Sequence, residues 1–186
     1  MARRPEQQYL SVTEYLEGEL ASELRHEYID GEVYAMVGAS DRHNLIAGNL
    51  FATLHPHVRA TNCQLFMSDM KVRLRVAGED AFYYPDILLS CDPNDREVYF
   101  RSHPCMLVEV VSESTARIDR REKLLAYTQI ESLREYLLFF QDRQEVDIHR
   151  RRDGWRIDRI VKGELTIECV EFNIPLEQIY EGVSLP

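Results

Sequence analysis

The sequence predicts an α/β (α+β) fold in which a central mixed β-sheet is flanked by helices, with an added N-terminal helix and β-hairpin. Three observations predict this class. The spacing of hydrophobic residues changes several times along the chain, from the period of a helix to that of a strand and back. The predicted helices and strands therefore follow one another in mixed order. No internal repeat, low-complexity segment or linker interrupts the sequence. Its 186 residues suit one hydrophobic core, so we predict a single domain over residues 1–186.

The N-terminal elements follow from capping and turn signals. A capping box that begins at Ser11 predicts a short helix. Residues 26–36 alternate around Asp30-Gly31, which is a strong signal for a two-residue hairpin. Ser40 is the expected cap of a second helix, because apolar residues recur after it at helical spacing up to about Pro56.

Strands predominate in the rest of the chain. We predict strands over 70–76, 83–90, 106–111, 135–140, 145–150, 155–161 and 166–170, and a helix over 115–130. In the first of these strands, strict alternation places Lys71, Arg73 and Arg75 on one face and the aliphatic residues on the other. We expect the basic face to be solvated.

Composition and charge limit the classes of function. Hydrophobic residues make up 45% of the chain and charged residues 29%, as in an ordinary soluble protein. No apolar run approaches the roughly 20 residues of a membrane span, and the N-terminus lacks a signal-peptide core. We therefore expect a cytoplasmic protein without a membrane partner. The net charge of −10 disfavours nucleic-acid binding, although basic residues cluster near 117–123 and 150–159.

The cysteines show no metal-binding or redox pattern. They are Cys63, Cys91, Cys105 and Cys169, and no two of them form a C-x-x-C pair. In a cytoplasmic protein we expect such residues to be free, mostly buried thiols, and we expect no zinc site.

Two apolar strands each carry a single carboxylate. Asp86 stands immediately before Ile87–Leu89, and Glu109 interrupts the apolar run 106–111. A carboxylate in a buried strand costs several kcal/mol unless it is paired, hydrogen-bonded or bound to a cation. If the strands are neighbours, Asp86 and Glu109 can share Mg²⁺, which takes one or two carboxylates together with waters and phosphate oxygens. The alternative is a pair of edge-strand carboxylates that face solvent.

The helix that follows the Glu109 strand supplies a candidate cation. Asp119, Lys123 and Tyr127 are spaced four apart and therefore lie on one helical face. A lysine held near two carboxylates and a metal can orient a water molecule or stabilise developing phosphate charge. The alternative is a solvated Asp–Lys pair of little energetic weight. At the start of the second helix, His43 is more typical of a capping or packing residue than of a substrate contact.

Four segments together resemble a known family. They are 26–36 (HEYIDGEVYAM), 84–87 (YPDI), 107–115 (LVEVVSEST) and 119–127 (DRREKLLAY). Their order resembles the PD-(D/E)XK nuclease superfamily and, more narrowly, the Uma-type family of restriction endonucleases. The resemblance implies a restriction-endonuclease-like core that hydrolyses DNA. It also implies Mg²⁺, with Mn²⁺ as a possible substitute, held by Asp86 and Glu109, with Glu27 as a further carboxylate ligand.

The chain departs from the superfamily pattern at Val111, where a lysine is expected. By resemblance, that role moves to Lys123 in the following helix. The leading hypothesis is a Mg²⁺-dependent endonuclease with catalytic Asp86, Glu109 and Lys123, acting as a homodimer because restriction-type enzymes pair their sites. Val111 and the acidic charge favour an alternative, a catalytically inactive nuclease fold that binds nucleic acid or protein. A third hypothesis is a metal-dependent hydrolase of small phosphorylated substrates.

Overall fold

Two β-sheets share a hydrophobic core, and most of the helices lie on the outer faces of the sheets. The computed structural model describes residues 9–36, 38–112 and 118–186. Within them the helices are α1 (Val12–Ala21), α2 (Asp41–Val58), α3 (Leu124–Tyr127, preceded by a π-helical segment, Ile118–Lys123) and α4 (Leu176–Ile179). The strands are β1 (His26–Ile29), β2 (Glu32–Ala35), β3 (Gln64–Met67), β4 (Lys71–Val76), β5 (Glu79–Tyr83), β6 (Ile87–Ser90), β7 (Phe100–Arg101), β8 (Pro104–Val111), β9 (Glu135–Phe140), β10 (Val146–Arg150), β11 (Ile157–Ile160), β12 (Glu164–Ile167) and β13 (Phe172–Pro175). None of the helices in this part of the chain has the length and apolar character needed to cross a membrane.

The two larger sheets are both mixed. The first has the strand order β2-β1-β5-β4-β7, and the second has the order β11-β10-β9-β8-β6-β3. In the second sheet β8 and β9 run parallel, while the other neighbours are antiparallel. A parallel neighbour requires a crossover, and the segment containing α3 provides it between β8 and β9. The strands β12 and β13 form a separate antiparallel pair.

Alternating side chains of the second sheet bury apolar surface on both of its faces. On one face, Val108 and Ile148 pack with Leu50 of α2 and with α4 and the β12–β13 pair. On the other face, Leu107 and Tyr136 pack with strands β4 and β5 of the first sheet and with α3. The helix α1 covers the far side of the first sheet through an aromatic cluster. A mixed sheet flanked by helices is the predicted class.

The predicted local signals are present at the N-terminus. Glu14 accepts the Ser11 backbone N–H at 2.8 Å, and the Ser11 hydroxyl accepts the Glu14 N–H at 3.3 Å, which completes the capping box. Asp30 and Gly31 join β1 to β2 with φ angles of 48° and 84°. A Cβ at Gly31 would also lie 2.6 Å from the ring of Tyr9, so glycine is required there on two grounds.

The predicted strand over 83–90 is wrong as a single element. It is divided into β5, which belongs to the first sheet, and β6, which belongs to the second. Pro85 lacks a backbone N–H and therefore cannot continue a ladder of hydrogen bonds. The chain crosses between the sheets at Tyr84-Pro85-Asp86, and this crossing places Asp86 where the two sheets meet.

The basic row on β4 is not a solvated face. Lys71 is 5% exposed and Arg73 is half-buried, so that of the three residues Arg75 alone is exposed. The guanidinium of Arg73 lies 5.9 Å and 5.7 Å from the ring centres of Phe82 and Phe100. The predicted alternation of β4 is correct. The face that was expected to be solvated is instead covered by α1 and its aromatic cluster.

The later elements follow the prediction with shifted bounds. The strands predicted over 135–140, 145–150 and 155–161 correspond to β9, β10 and β11. The strand predicted over 166–170 is displaced to β12, which pairs with β13, and the short α4 was not predicted. Of the helix predicted over 115–130, residues 115–117 lie outside the described residues. Residues 118–127 form the π-helical segment and α3, whereas residues 128–130 form a turn rather than the predicted end of the helix.

The prediction of free thiols is wrong, because the four cysteines form two disulfides. Cys63 precedes β3 and Cys91 follows β6. They are the next facing pair after Gln64 and Ser90 in the antiparallel ladder, and their Cα atoms are 4.0 Å apart. Cys105 and Cys169 are joined with a Cα separation of 6.1 Å. The first pair depends on strand register, and the second depends on how the turn between β12 and β13 packs near β8, and cysteine spacing along the chain reveals neither.

Candidate active site

Glu109 is a charged residue inside the buried strand β8. Its neighbours on the same face, Leu107 and Val111, belong to the core that the two sheets share, and Glu109 itself is 5% exposed. A carboxylate at this depth must be stabilised by positive charge or by hydrogen-bond donors. Lys123 and Tyr127 supply such groups from the helical segments that follow β8.

Asp86 lies beside Glu109 because β6 and β8 are antiparallel neighbours. The register pairs Ile87 with Val108, and one step further places Asp86 opposite Glu109. The Oδ2 atom of Asp86 accepts the backbone N–H of Val110 at 2.6 Å. The two carboxylate-bearing strands are thus adjacent, as the hypothesis of a shared cation required.

Lys123 contacts two of the predicted site residues at once. Its Nζ atom is 3.0 Å from Oε1 of Glu109 and 3.0 Å from Oε1 of Glu27, and the residue is 6% exposed. The lysine is the last residue of the π-helical segment, a type of helix that is rare and often found at functional sites. The ammonium also lies 5.6 Å from the ring centre of Tyr83, so aromatic and anionic groups surround it.

Tyr127 supports Glu109 from α3. Its hydroxyl donates to Oε1 of Glu109 at 3.0 Å, the same oxygen that Lys123 contacts. Burial and the negative charge of Glu109 raise the pKa of Tyr127 well above its usual value of 10.0. The phenol therefore remains a hydrogen-bond donor throughout the physiological range. The sequence predicted that Tyr127 and Lys123 lie on the same helical face. In the structure both side chains contact the buried carboxylate of Glu109.

Glu27 approaches the site from β1 in the first sheet. Its Oε1 atom accepts the backbone N–H of Tyr84 at 3.4 Å in addition to the contact with Lys123. Within the described residues its polar contacts are with the lysine and with this backbone, rather than with Asp86. Burial and the charge of Glu27 raise the pKa of the neighbouring Tyr83 to about 12.

The sequence did not reveal that His43 lies beside Asp86. Its Nε2 atom lies 3.1 Å from Oδ2 of Asp86. Ser40 caps α2 through a hydrogen bond from the His43 backbone N–H, and the ring extends from this first turn toward the site. No spacing rule connects a histidine in α2 with an aspartate after β5. The side chain of Asp119, the remaining member of the predicted helical face, lies outside the described residues.

Among the described residues, the site is a small anionic cluster that includes one ammonium group, that of Lys123. Within the described parts of the chain, no three His, Cys, Asp or Glu side chains are grouped closely enough to hold a metal by themselves. Two carboxylates on adjacent strands nevertheless match the small number of protein ligands that Mg²⁺ commonly uses. A carboxylate pair with a nearby ammonium is suited to metal-assisted hydrolysis of an anionic ester.

The chain is similar to known proteins along most of its length. Residues 12–177 match the model of the Uma2 family, which is described as "Putative restriction endonuclease". Two Synechocystis sp. proteins described as uncharacterized are similar to it. The first, slr1290, is 33% identical over 179 residues, covering 94% of this chain and 93% of the relative. The second, sll1609, is 31% identical over 165 residues, covering 86% and 92%.

A solved structure has the same fold. It is a crystal structure described as a "putative nuclease belonging to DUF820" from Anabaena variabilis, with a TM-score of 0.71. The alignment covers 88% of this chain and 93% of that one at 13% identity, so the likeness concerns the fold alone. The predicted fold class and the predicted family are both confirmed. The protein described above, with Glu109 and Lys123 buried and Asp86 partly buried, belongs to the Uma2 family.

Proposed function

We propose that this protein is a Mg²⁺-dependent endonuclease that hydrolyses phosphodiester bonds in DNA. The observation that carries the proposal is the convergence of Asp86, Glu109, Lys123 and Glu27 from separate elements of both sheets. A buried group of charges is costly, and its members have no shared role in packing the core. The description of the Uma2 family as restriction endonucleases supports the same activity.

The donor set fits a hard divalent cation. Asp86 and Glu109 offer carboxylate oxygens on adjacent strands, and they would hold Mg²⁺, or Mn²⁺ in its place, with waters and a substrate phosphate completing the sphere. Such a bound ion lowers the pKa of a coordinated water and polarises the phosphate. Glu27 adds negative charge at the same place, with one oxygen engaged by Lys123.

Lys123 is the proposed catalytic ammonium. Val111, where the superfamily carries its lysine, has an uncharged side chain that packs in the shared core, so it supplies no cation. Lys123 reaches Glu109 from the helical segment instead, at 3.0 Å. From there its positive charge would stabilise the charge that develops on the phosphate or orient the attacking water. Glu27 and Tyr83 hold the ammonium in place.

DNA and a second copy of the chain are the proposed partners. Cleavage of both strands of a duplex is served by two paired active sites, so we propose a homodimer. With a net charge of −10, attraction of DNA must come from local basic groups and from the bound cation. We therefore expect cleavage to fall steeply as the salt concentration rises.

The first experiment is a cleavage assay in Mg²⁺ or Mn²⁺ on a pool of plasmid, linear duplex and single-stranded DNA. The wild type is compared with Asp86→Asn and with Asp153→Asn, which changes an exposed aspartate on the β10–β11 turn. Asp86→Asn should lower the cleavage rate by at least about a hundredfold. Thermal unfolding of this variant should show that it is still folded. Asp153→Asn should cut as the wild type does.

Two results would overturn the proposal. One is cleavage by Asp86→Asn at the rate of the wild type, and the other is cleavage by the wild type that persists in excess chelator. A preference for mononucleotides over every DNA would assign the site to a small phosphorylated substrate. Calorimetric titration of Mn²⁺ into the wild type and into Glu109→Gln tests whether Glu109 takes part in metal binding. This test does not depend on the choice of DNA sequence.

A further inference from the structure

A second group of buried polar side chains lies next to the candidate site, between α1 and the first sheet. Its members are Glu19 of α1, Lys71 at the start of β4 and Tyr84 between β5 and β6. They are 8%, 5% and 3% exposed. Charged and polar groups at this depth cost free energy unless they are hydrogen-bonded, and these three are bonded to one another.

The hydroxyl of Tyr84 is the centre of this group. It donates to Oε2 of Glu19 at 2.7 Å and accepts from Nζ of Lys71 at 3.1 Å. Burial and the hydrogen bond to Glu19 raise the pKa of Tyr84 above its usual value of 10.0, so the phenol keeps its proton. The far end of the Tyr84 ring is therefore fixed by an anionic acceptor and a cationic donor.

Glu19 is itself held in place by the start of β1. The backbone N–H of His26 donates to Oε2 at 3.3 Å, and Nδ1 of the His26 ring lies 2.8 Å from Oε1 in a hydrogen bond. Both oxygens of the carboxylate are thus engaged. The acceptor of the Tyr84 hydroxyl is consequently a rigid part of the contact between α1 and the first sheet.

The backbone of Tyr84 contacts the candidate active site directly. Its N–H donates to Oε1 of Glu27 at 3.4 Å, the same oxygen that lies 3.0 Å from Nζ of Lys123. Asp86 follows two residues later. The segment from Tyr84 to Asp86 belongs to neither β5 nor β6, and Pro85 has no N–H to offer to a ladder. Its position therefore depends on anchors outside the ladders, and the Tyr84 side chain is one of them.

We propose that Tyr84 is a positioning residue of the metal site. Anchored through its hydroxyl by Glu19 and Lys71, it holds the crossing between the sheets so that its own N–H stays on Glu27 and the Asp86 carboxylate stays in place. The inference rests on the proposed function, since it takes Asp86 as a metal ligand. Groups that orient metal ligands without touching the metal typically change metal affinity by about 10- to 100-fold when they are removed.

The first experiment is calorimetric titration of Mn²⁺ into the whole protein and two tyrosine variants. Tyr84→Phe removes the hydroxyl and keeps the ring, and we expect about 10-fold weaker Mn²⁺ binding. Tyr28→Phe is the matched control. It removes another phenol hydroxyl beneath α1, which donates to the carbonyl of Leu10 at 2.9 Å, and should leave the affinity within about threefold of the wild type. Titrations are made at a temperature at which thermal unfolding shows every variant to be folded.

Two substitutions of Glu19 separate the hydrogen bond from the charge. Glu19→Gln keeps an oxygen that can accept from Tyr84 and an N–H that can donate to Nδ1 of His26, whereas Glu19→Leu offers neither. Both remove the same negative charge, so a difference in Mn²⁺ affinity between them reports the anchor. We expect Glu19→Gln to bind within about threefold of the wild type and Glu19→Leu to bind about 10-fold more weakly.

Each other outcome has a defined meaning. Equal Mn²⁺ affinity in the wild type and Tyr84→Phe would overturn the positioning role while the metal site stands. Equal losses in Tyr84→Phe and Tyr28→Phe would overturn it too, because general loosening beneath α1 would then explain both. Equal affinities of Glu19→Gln and Glu19→Leu would overturn the anchor, and this pair decides the matter if Tyr84→Phe fails to fold. Absence of Mn²⁺ binding by the wild type, with and without DNA, would overturn the proposed metal-dependent function itself.

Discussion

Lys123 and Glu109 are in contact, with 3.0 Å between Nζ and Oε1, although one comes from the helical segment after β8 and the other from the middle of that strand. The same Nζ is 3.0 Å from Oε1 of Glu27 in the first sheet. One buried ammonium therefore neutralises carboxylates that belong to two sheets. The stability of the site and its proposed chemistry depend on the same side chain.

Replacing that lysine should destabilise the fold. In Lys123→Met the two carboxylates lose their shared cation, and we expect the free energy of unfolding at pH 7 to fall by about 3 kcal/mol, as for other buried pairs that lose one partner. Urea denaturation followed by circular dichroism measures the change. Lys162→Met, at an exposed lysine, should stay within about 0.5 kcal/mol of the wild type. An unchanged midpoint in Lys123→Met would show that the ion pairs carry no net stability.

The Tyr127 hydroxyl should stabilise Glu109 measurably. Tyr127→Phe removes a donor to a buried carboxylate, so we expect a loss of about 2 kcal/mol in the free energy of unfolding. Tyr34 donates to Glu32 at the surface, and Tyr34→Phe is the matched change where water can replace the phenol. Equal effects of the two substitutions would contradict the importance of burial. Urea denaturation of both variants gives the comparison.

The Arg73–Asp80 pair should make stability depend on pH in acid. The guanidinium donates to both carboxylate oxygens, at 2.9 Å and 3.1 Å, and thereby lowers the pKa of Asp80 below its usual value of 3.8. A lowered pKa means that the unfolded chain binds the proton more tightly. The contribution is therefore fully present above pH 3.8 and is lost as the pH falls through the folded-state pKa.

The measurement for this pair is the free energy of unfolding from pH 7 to pH 2. At pH 7 Asp80→Asn should be less stable than the wild type by at most about 1 kcal/mol, since Arg73 is partly exposed. The two curves should approach each other below pH 3.8. A constant difference across the whole range would contradict an ionic origin for the effect.

The two disulfides should each contribute to stability. The bridges close 28 and 64 residues, for which loss of chain entropy in the unfolded state predicts about 3.5 and about 4 kcal/mol. We expect Cys63→Ser and Cys105→Ser to lose up to these amounts in denaturation experiments. Alkylation of the unfolded, unreduced chain followed by mass measurement should find no reactive thiol. Alkylation of all four cysteines in that experiment would contradict the bridges.

The sequence predicted which side chains lie near Glu109 where burial and helical spacing were informative, and the metal-binding and catalytic roles of these residues stay predictions. Carboxylates in apolar strands identified Asp86 and Glu109, and the four-residue spacing of a helical face brought Lys123 and Tyr127 together. The structure adds that Glu27 contacts Lys123, so that β1 of the first sheet is in contact with the π-helical segment that follows β8. It also adds His43, because helix packing determines which residue of α2 lies over Asp86.

The sequence by itself determined the local elements of this protein: the capping box at Ser11, the turn at Asp30-Gly31, the alternation of β4 and the carboxylate inside β8. These depend on residues a few positions apart, whose dihedral angles and side-chain directions are set locally. The tertiary structure decided the division of one predicted strand at Pro85, the covering of Lys71 and the pairing of the cysteines. Those features arise from strand register and from the packing of elements distant in sequence, and no local pattern specifies either.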